Sequence, residues 1–300
     1  DWSSDVCSSD LIHALDNNLI DRAAIDVFEH EPPTDSPLIS HDKIIVTPHL
    51  GASTVEAQEK VAVSVSEEII DILTNGTVEH ALNAPKMDLS NVDEAVKSFV
   101  DLGTTIGEFA IQLLEGAPSE IKITFAGDLA TNDTSLITKT IVTNILKEDL
   151  GEEVNIINAL ALLNQQGVTY NIEKQKKHSD FSSYVELELT NDKDQIKIGA
   201  TVLAGFGPRI VRINDFSLDF KPNEYQIVTC HKDKPGIVGQ TGNLLGSHGI
   251  NIASMTLGRN NEGGDALMIL SIDQQASLDV INILRETGGF NRIISTKLTI

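Results

Sequence analysis

Two apolar runs near the start of the chain are too short and too continuous to be amphipathic helices. Residues 23–28 and 44–46 read as strands buried on both faces of a parallel sheet, where helices cover both sides. Pro48 cannot donate to a ladder and ends the second strand. His49 follows at its carboxyl end, then Gly51, and Ser53-Thr-Val-Glu56 has the spacing of a capping box that opens a helix. Elsewhere the period is helical. Ile12, Leu15 and Leu19 lie at i, i+3 and i+7, while Val61, Val65, Ile69, Ile72 and Leu73 share one face of a longer helix closed by Gly76. Residues 29–40, with Pro32, Pro33 and Pro37, form the loop between the two strands.

The pattern changes after an acidic, polar boundary at 88–94. It predicts a helix over 92–115, a strand over 120–125, a helix over 135–147 and a shorter helix over 156–166. Strands follow at 183–190, 195–202 and 209–213. Gly205-Phe-Gly-Pro-Arg209 lacks the third glycine, helix and lysine of a phosphate loop and reads as a hairpin turn. Lys174-Gln-Lys-Lys-His178 is a basic patch open to two readings, a solvated turn or an anion site. The last stretch alternates as a strand at 224–231, is helical over 236–247, and returns to strands at 250–259 and 265–272 that pair across a turn at 260–264. A helix at 277–287 and a strand at 293–300 complete βαββαβ, the ferredoxin-like order, with an edge strand free to pair with a second copy. The fold class is therefore α/β followed by α+β: a remnant of a Rossmann-type domain over 12–90, an α+β domain over 91–221 and a ferredoxin-like domain over 222–300. Residues 1–11, rich in Ser and Asp and without periodicity, read as an unrelated junction segment or a short leader.

Composition narrows the function classes. At 300 residues and 41% hydrophobic, the chain has an ordinary core for about two domains. A formal net charge of −22 opposes nucleic acid and anionic membranes as partners, and no apolar run approaches the roughly 20 residues of a membrane span. Cys7 and Cys230 give neither a disulfide framework nor metal-ligand spacing, so no metal is expected and a reducing cytoplasm fits.

Asp26-Val-Phe28 leading to Glu31-Pro32, followed by Thr47-Pro-His49 and small residues, resembles the end of the nucleotide-binding domain of the D-2-hydroxyacid dehydrogenase family. His231-Lys-Asp-Lys-Pro-Gly-Ile-Val238 and Gly249-Ile-Asn-Ile252 resemble an ACT regulatory domain, a resemblance that implies binding of small amino acids at paired interfaces. Together, over about 12–300, they resemble the long-form D-3-phosphoglycerate dehydrogenase family, in which an intervening domain lies between the two. The resemblance implies NAD as cofactor, 3-phosphoglycerate as substrate, L-serine as a candidate effector and a homo-oligomer joined through the ACT domain. It implies His49 as the base that takes the hydroxyl proton, suited by an ordinary pKa near 6.5. Glu31 would be the acidic partner that fixes its tautomer, and Asp26 the residue that holds the nicotinamide carboxamide. The backbone of His49, Leu50, Gly51 and Ala52 would line the cofactor. His30 has no matched role and is expected to be exposed.

In the ACT stretch, His231, Asp233 and Asn251 are the candidate effector residues. Asp233 could meet an ammonium while free helix N–H groups take the carboxylate and Asn251 bridges; alternatively Asp233 caps the helix and Asn251 shapes a turn. The chain also departs from the family. It has no G-x-G-x-x-G for a pyrophosphate, and Trp2 stands where the family's substrate-gripping arginine would fall. The expectation is a dehydrogenase fragment that transfers no hydride as these 300 residues, with a stand-alone amino-acid-sensing and dimerisation module as the alternative. A third reading, another dehydrogenase of the superfamily, is opposed by the ACT stretch, since most short-form members would end near Asn83.

Overall fold

A computed structural model describes residues 8–28, 30–34, 36–75, 94–286 and 289–299. The expected cap at Gly76, the boundary at 88–93, Asn83 and the residues Trp2 and Cys7 lie outside these. The chain divides into two units, 1–79 and 80–300. No helix among the described residues is long and apolar enough to cross a membrane.

The first unit contains α1 (Ser8–Asp16), β1 (Ala23–Ile25), β2 (Ile44–Val46) and α2 (Val55–Asn75). β1 and β2 pair in parallel, Ala23 with Ile44 and Ile25 with Val46, as the apolar runs predict. Several expectations change in detail. α1 starts at Ser8, four residues before the expected Ile12, and ends before Leu19, which is 71% exposed. Asn18 takes the left-handed conformation (φ 55°), and the Lys43 ammonium meets the Leu15 carbonyl and the Asn18 side chain, each at 2.8 Å, closing the helix there. β1 stops at Ile25, since Asp26 leaves the ladder to bond with the loop after β2. Both strands were expected to be buried on both faces, yet Ile45 is 68% exposed, because two strands carry no second covering layer in this unit. The capping residue of α2 is Thr54, whose hydroxyl accepts the Ala57 N–H at 3.1 Å, not Ser53. The predicted apolar face of α2 forms but stays open, with Val61, Val65, Ile69, Ile72 and Leu73 all exposed.

The second unit opens with α3 (Glu94–Leu113), β3 (Glu120–Gly127), α4 (Ser135–Leu150), α5 (Ala159–Gln165) and β4 (Thr169–Gln175). It continues with β5 (Ser183–Thr190), β6 (Gln195–Leu203), β7 (Gly207–Ile213) and β8 (Phe216–Phe220). These strands form one sheet in the order β4-β3-β5-β6-β7-β8, parallel only between β3 and β4. β4 and β8 were not anticipated, and β4 converts the start of the basic patch from a turn into a strand. Its Lys174 donates to the Asn132 carbonyl at 2.8 Å. The glycine-rich stretch is the expected turn, Gly205 and Gly207 both having positive φ between the antiparallel β6 and β7. α3 and α4 cross closely at Gly107, where a Cβ would come within 2.8 Å of the Ile141 carbonyl oxygen.

The remaining elements are β9 (Tyr225–Lys232), α6 (Ile237–Ser247), β10 (Ile252–Arg259), β11 (Asp265–Ile272), α7 (Leu278–Glu286) and β12 (Phe290–Lys297). Their antiparallel sheet has the order β10-β11-β9-β12, the ferredoxin-like arrangement. One face packs on α6 and α7 through Ile227, Leu245, Met268 and Ile281. The other shares a core with the six-stranded sheet: Val228, Leu267, Ile269 and Leu298 belong to the same buried cluster as Phe109 and Ile198. Polar bonds add to the joint. The Arg292 guanidinium donates to the Leu113 carbonyl (2.5 Å) and the Asp194 carboxylate (2.9 Å). The Gln112 amide pairs with both the N–H (2.9 Å) and the C=O (2.8 Å) of Lys297.

Candidate functional site

The loops after β1 and β2 meet at Asp26. One carboxylate oxygen accepts the Thr47 hydroxyl (2.5 Å) and the Leu50 N–H (2.6 Å); the other accepts the Gly51 N–H (2.7 Å). The Asp26 carbonyl also takes the His49 N–H at 2.9 Å. The Thr47 hydroxyl and then the Leu50 N–H hold this carboxyl below the usual carboxylate range, so it stays ionised. Parallel pairing of β1 and β2 is what delivers Asp26 and Thr47 to the same end of the strands. The path of the chain there is tight enough that His49 adopts φ 55°, unusual for a residue with a side chain.

That conformation turns the imidazole toward the proline-rich loop. Its Nδ1 lies 2.8 Å from Glu31 Oε2, and the other Glu31 oxygen accepts the Phe28 N–H at 3.0 Å. Glu31 is thus anchored to the end of the first strand while it holds the ring. The hydrogen bond to Glu31, reinforced by its charge, raises the His49 pKa above the ordinary value, and the same bond lowers that of Glu31. Both side chains stay accessible, at 57% and 35% exposure. They border a hollow of about 370 Å³ whose other walls are Phe28, Pro32, Pro33 and Pro48. With Nδ1 committed to a carboxylate, Nε2 is the nitrogen available to accept a proton from a ligand.

His49, Glu31 and Asp26 therefore come together. Leu50 and Gly51 join them through N–H groups spent on Asp26, and Ala52 is exposed in the turn before α2. Thr47 was missed as a site member, although a hydroxyl two residues before the histidine was a signal within the same motif. His30 is exposed, as expected. A carboxamide could still bond here. Asp26 is ionised and purely an acceptor, and three of its roughly four lone-pair positions are occupied, which leaves room for one amide N–H on the oxygen that Gly51 uses.

The effector candidates are arranged differently from the sequence expectation. His231 is 2% exposed, in contact with the Thr229 hydroxyl (3.3 Å) and edge-on to Phe290, and its burial lowers its pKa. Asp233 neither caps α6 nor is free: it pairs with Arg259 at 2.8 Å, which lowers its pKa, and its N–H donates to the Gly264 carbonyl. Asn251 donates to Asp273 at 2.7 Å. Register explains why these cannot form one pocket within a chain. Lys232 is level with Asp265, one residue beyond the Ala266–Arg259 pair, whereas Ile252 is level with Ile272 and Tyr225. Asn251 and Asp233 consequently sit at opposite ends of the sheet, about 23 Å apart over seven residues of strand. Arg259 and Asp273 are the partners that spacing along the sequence could not reveal.

Comparison with known proteins places each stretch. Residues 5–51 match the D-isomer specific 2-hydroxyacid dehydrogenase NAD binding domain. Residues 95–214 match the D-3-phosphoglycerate dehydrogenase intervening domain, and 225–289 the ACT domain. The chain is 35% identical over 288 residues to a D-3-phosphoglycerate dehydrogenase of Bacillus subtilis, covering 96% of this chain and 54% of that protein. Proteins of the same name from Synechocystis (34%, covering 96% and 52%) and Archaeoglobus fulgidus (31%, covering 93% and 53%) are also similar. The chain spans about half the length of these curated relatives.

Proposed function

We propose, on the premise that the chain resembles the C-terminal part of long-form D-3-phosphoglycerate dehydrogenase, that it serves an NAD-dependent oxidation of 3-phosphoglycerate at its 2-hydroxyl, giving 3-phosphohydroxypyruvate on the route to L-serine. The observation that carries this reading is the His49–Glu31 pair at 2.8 Å, held beside an ionised Asp26. NAD, when bound, accepts the hydride. The chain's own residues handle the proton and the placement. His49 takes the hydroxyl proton at Nε2 as the carbonyl forms, and Glu31 stabilises the imidazolium without taking the proton itself. Asp26 fixes the loop of Leu50 and Gly51 and offers its remaining lone pair to the carboxamide.

Completing that reaction needs groups these 300 residues do not hold, a glycine-rich pyrophosphate turn and an arginine for the substrate carboxylate. The purified 300-residue chain is expected to make no NADH from 3-phosphoglycerate, while the same residues joined to a complete nucleotide-binding and substrate domain do. In that joined protein His49→Gln should lower kcat by at least about 100-fold, in keeping with general-base catalysis. NADH production by the isolated chain, or an unaffected His49→Gln variant, would overturn the assignment.

A second reading concerns the ACT domain, and the register supports it. β10 is an edge strand of its sheet. Antiparallel pairing of β10 with its copy would bring Asn251 of the partner subunit to the Asp233 end, assembling an amino-acid site from two chains. We propose L-serine as its ligand, with its ammonium on Asp233. His231 would support that site from beneath. Met255→Lys, which places a charge at the middle of the edge, is expected to remove both dimerisation in sedimentation and serine binding in calorimetry. Serine binding by a monomer would sink this arrangement.

A further inference from the structure

The joint between the intervening sheet and the ACT sheet is not filled. A cavity of about 330 Å³ lies within it, bounded on one side by Ile196, Ile213 and Phe216 and on the other by Val228, Leu267 and Ile294. The cavity is amphipathic by construction. Its walls are aliphatic or aromatic, and its polar end is made by Arg292, with the Asn214 and Asn291 side chains beside it. The volume falls at the lower end of the range of small-molecule sites.

The polar end also says what charge a ligand should carry. Arg292 already faces the Asp194 carboxylate at 2.9 Å through Nη2, so its charge is matched. Asp194 in turn takes the Glu115 and Gln195 N–H groups, at 3.0 and 2.9 Å, and its carboxyl is held low by the Arg292 contact despite partial burial. A carboxylate entering here would compete with Asp194 inside a chain of net charge −22. The Cys230 thiol on the same wall is kept protonated by burial and adds no charge. What the guanidinium retains is further N–H donors beyond Nη2, and these suit an uncharged acceptor.

A second observation in the same joint shows that its polar groups are incompletely partnered. On the face of β9 that carries Val228, Gln226 is fully buried, and among the described residues neither atom of its amide has a hydrogen-bond partner. Thr296, opposite it in register, is buried with a hydroxyl that has no partner among the described residues. A permanent core rarely tolerates such groups, each of which costs about 1–3 kcal/mol. Groups of this kind mark a joint whose polar packing is incomplete.

We propose that this cavity binds a small uncharged amphipathic molecule, a cyclic or branched apolar body carrying one hydrogen-bond acceptor, with the body between Phe216 and Val228 and the acceptor on Arg292. Because the ligand touches both sheets, its occupancy fixes how the ACT domain sits on the intervening domain. Cyclohexanone is a suitable probe, with cyclohexanecarboxylate as its charged counterpart. In methyl NMR titrations of the full chain, cyclohexanone is expected to cause saturable shifts at Val228, Leu267 and Ile294, and cyclohexanecarboxylate to bind at least about tenfold more weakly, about 1.4 kcal/mol. Val228→Phe, which fills the space, should abolish the shifts while the Leu245 and Ile281 methyls in the other core keep their positions. If that variant does not fold, alkylation of Cys230 in the unaltered protein decides: cyclohexanone should slow it several-fold without slowing alkylation of free glutathione. Absence of saturable shifts, equal binding of the carboxylate, or unprotected Cys230 would each overturn the proposal.

Discussion

The two units of the chain hold themselves together by different means. In the second, a continuous apolar cluster runs from α3 and α4 through the six-stranded sheet into the ACT sheet, with Phe109, Ile123, Ile141 and Ile198 fully buried. In the first, the buried apolar side chains among the described residues are Leu15 and Leu38, and the long face of α2 is open. Yet the first unit contains the more tightly specified polar geometry. One carboxylate, Asp26, collects a hydroxyl and two N–H groups, and one Glu31 orients one His49. Shape in the second unit is set by volume; in the first it is set by a few short hydrogen bonds across two loop crossings.

The sharpest way to break that contrast is to remove the same kind of atom from each. Phe109 is fully buried and meets Phe220 edge-on with centroids 6.2 Å apart. Phe109→Ala should cost about 3–5 kcal/mol in denaturant unfolding of the second unit. Val61→Ala on the open face of α2 should stay within about 0.5 kcal/mol. Equal costs would mean that the α2 face is covered. A smaller effect, of opposite sign, is expected at Gln226. Gln226→Leu removes an amide that has no partner among the described residues and should stabilise the second unit by about 1 kcal/mol in the same measurement.

The smallest effect is a titration. Because Glu31 raises the His49 pKa, the stabilisation from the imidazolium is complete below pH 6.5 and is lost as pH rises through the raised value. Because Glu31 is itself lowered, its contribution is complete above pH 4.5 and is lost as pH falls through the lowered value. The ion pair is therefore fully formed between these limits. Glu31→Gln should return the His49 NMR titration toward 6.5, and an unchanged midpoint would remove Glu31 as the cause. In a complete enzyme, a base that must be unprotonated implies a rate that rises with pH through a value above 6.5.

The sequence predicts elements best where periodicity and burial agree. β5 and β11 match their predicted bounds, because Ser183–Thr190 alternates and 266–270 is an apolar run between polar residues. β4 was missed because Thr169–Gln175 is an edge strand exposed on both sides, so no apolar alternation marks it. β8 does alternate, but over five residues after a turn, near the limit of what a period of two can show. In the first unit the motif residues were legible through their family resemblance. The role of Asp26 as a hub for N–H groups 24 and 25 residues away was not, since only the parallel crossover creates it. Asp233 and Asn251 lie near each other along the chain, but the crossover through α6 carries the chain the full length of the sheet between them, which no sequence spacing shows.

The pairing of Gln112 with Lys297 bears on how the C-terminal module survives in a crowded cell. β12 is the outer strand on its side, and the side-chain amide of α3 engages the same donor and acceptor that a neighbouring strand would use. The intervening domain thus acts as a built-in guard against promiscuous strand addition at that rim, while at the rim formed by β10 no strand ladder is found among the described residues. Severed from α3, the last domain would present two open rims instead of one. A protein that assembles by one rim alone closes into a discrete particle, whereas one with two can grow into a fibre.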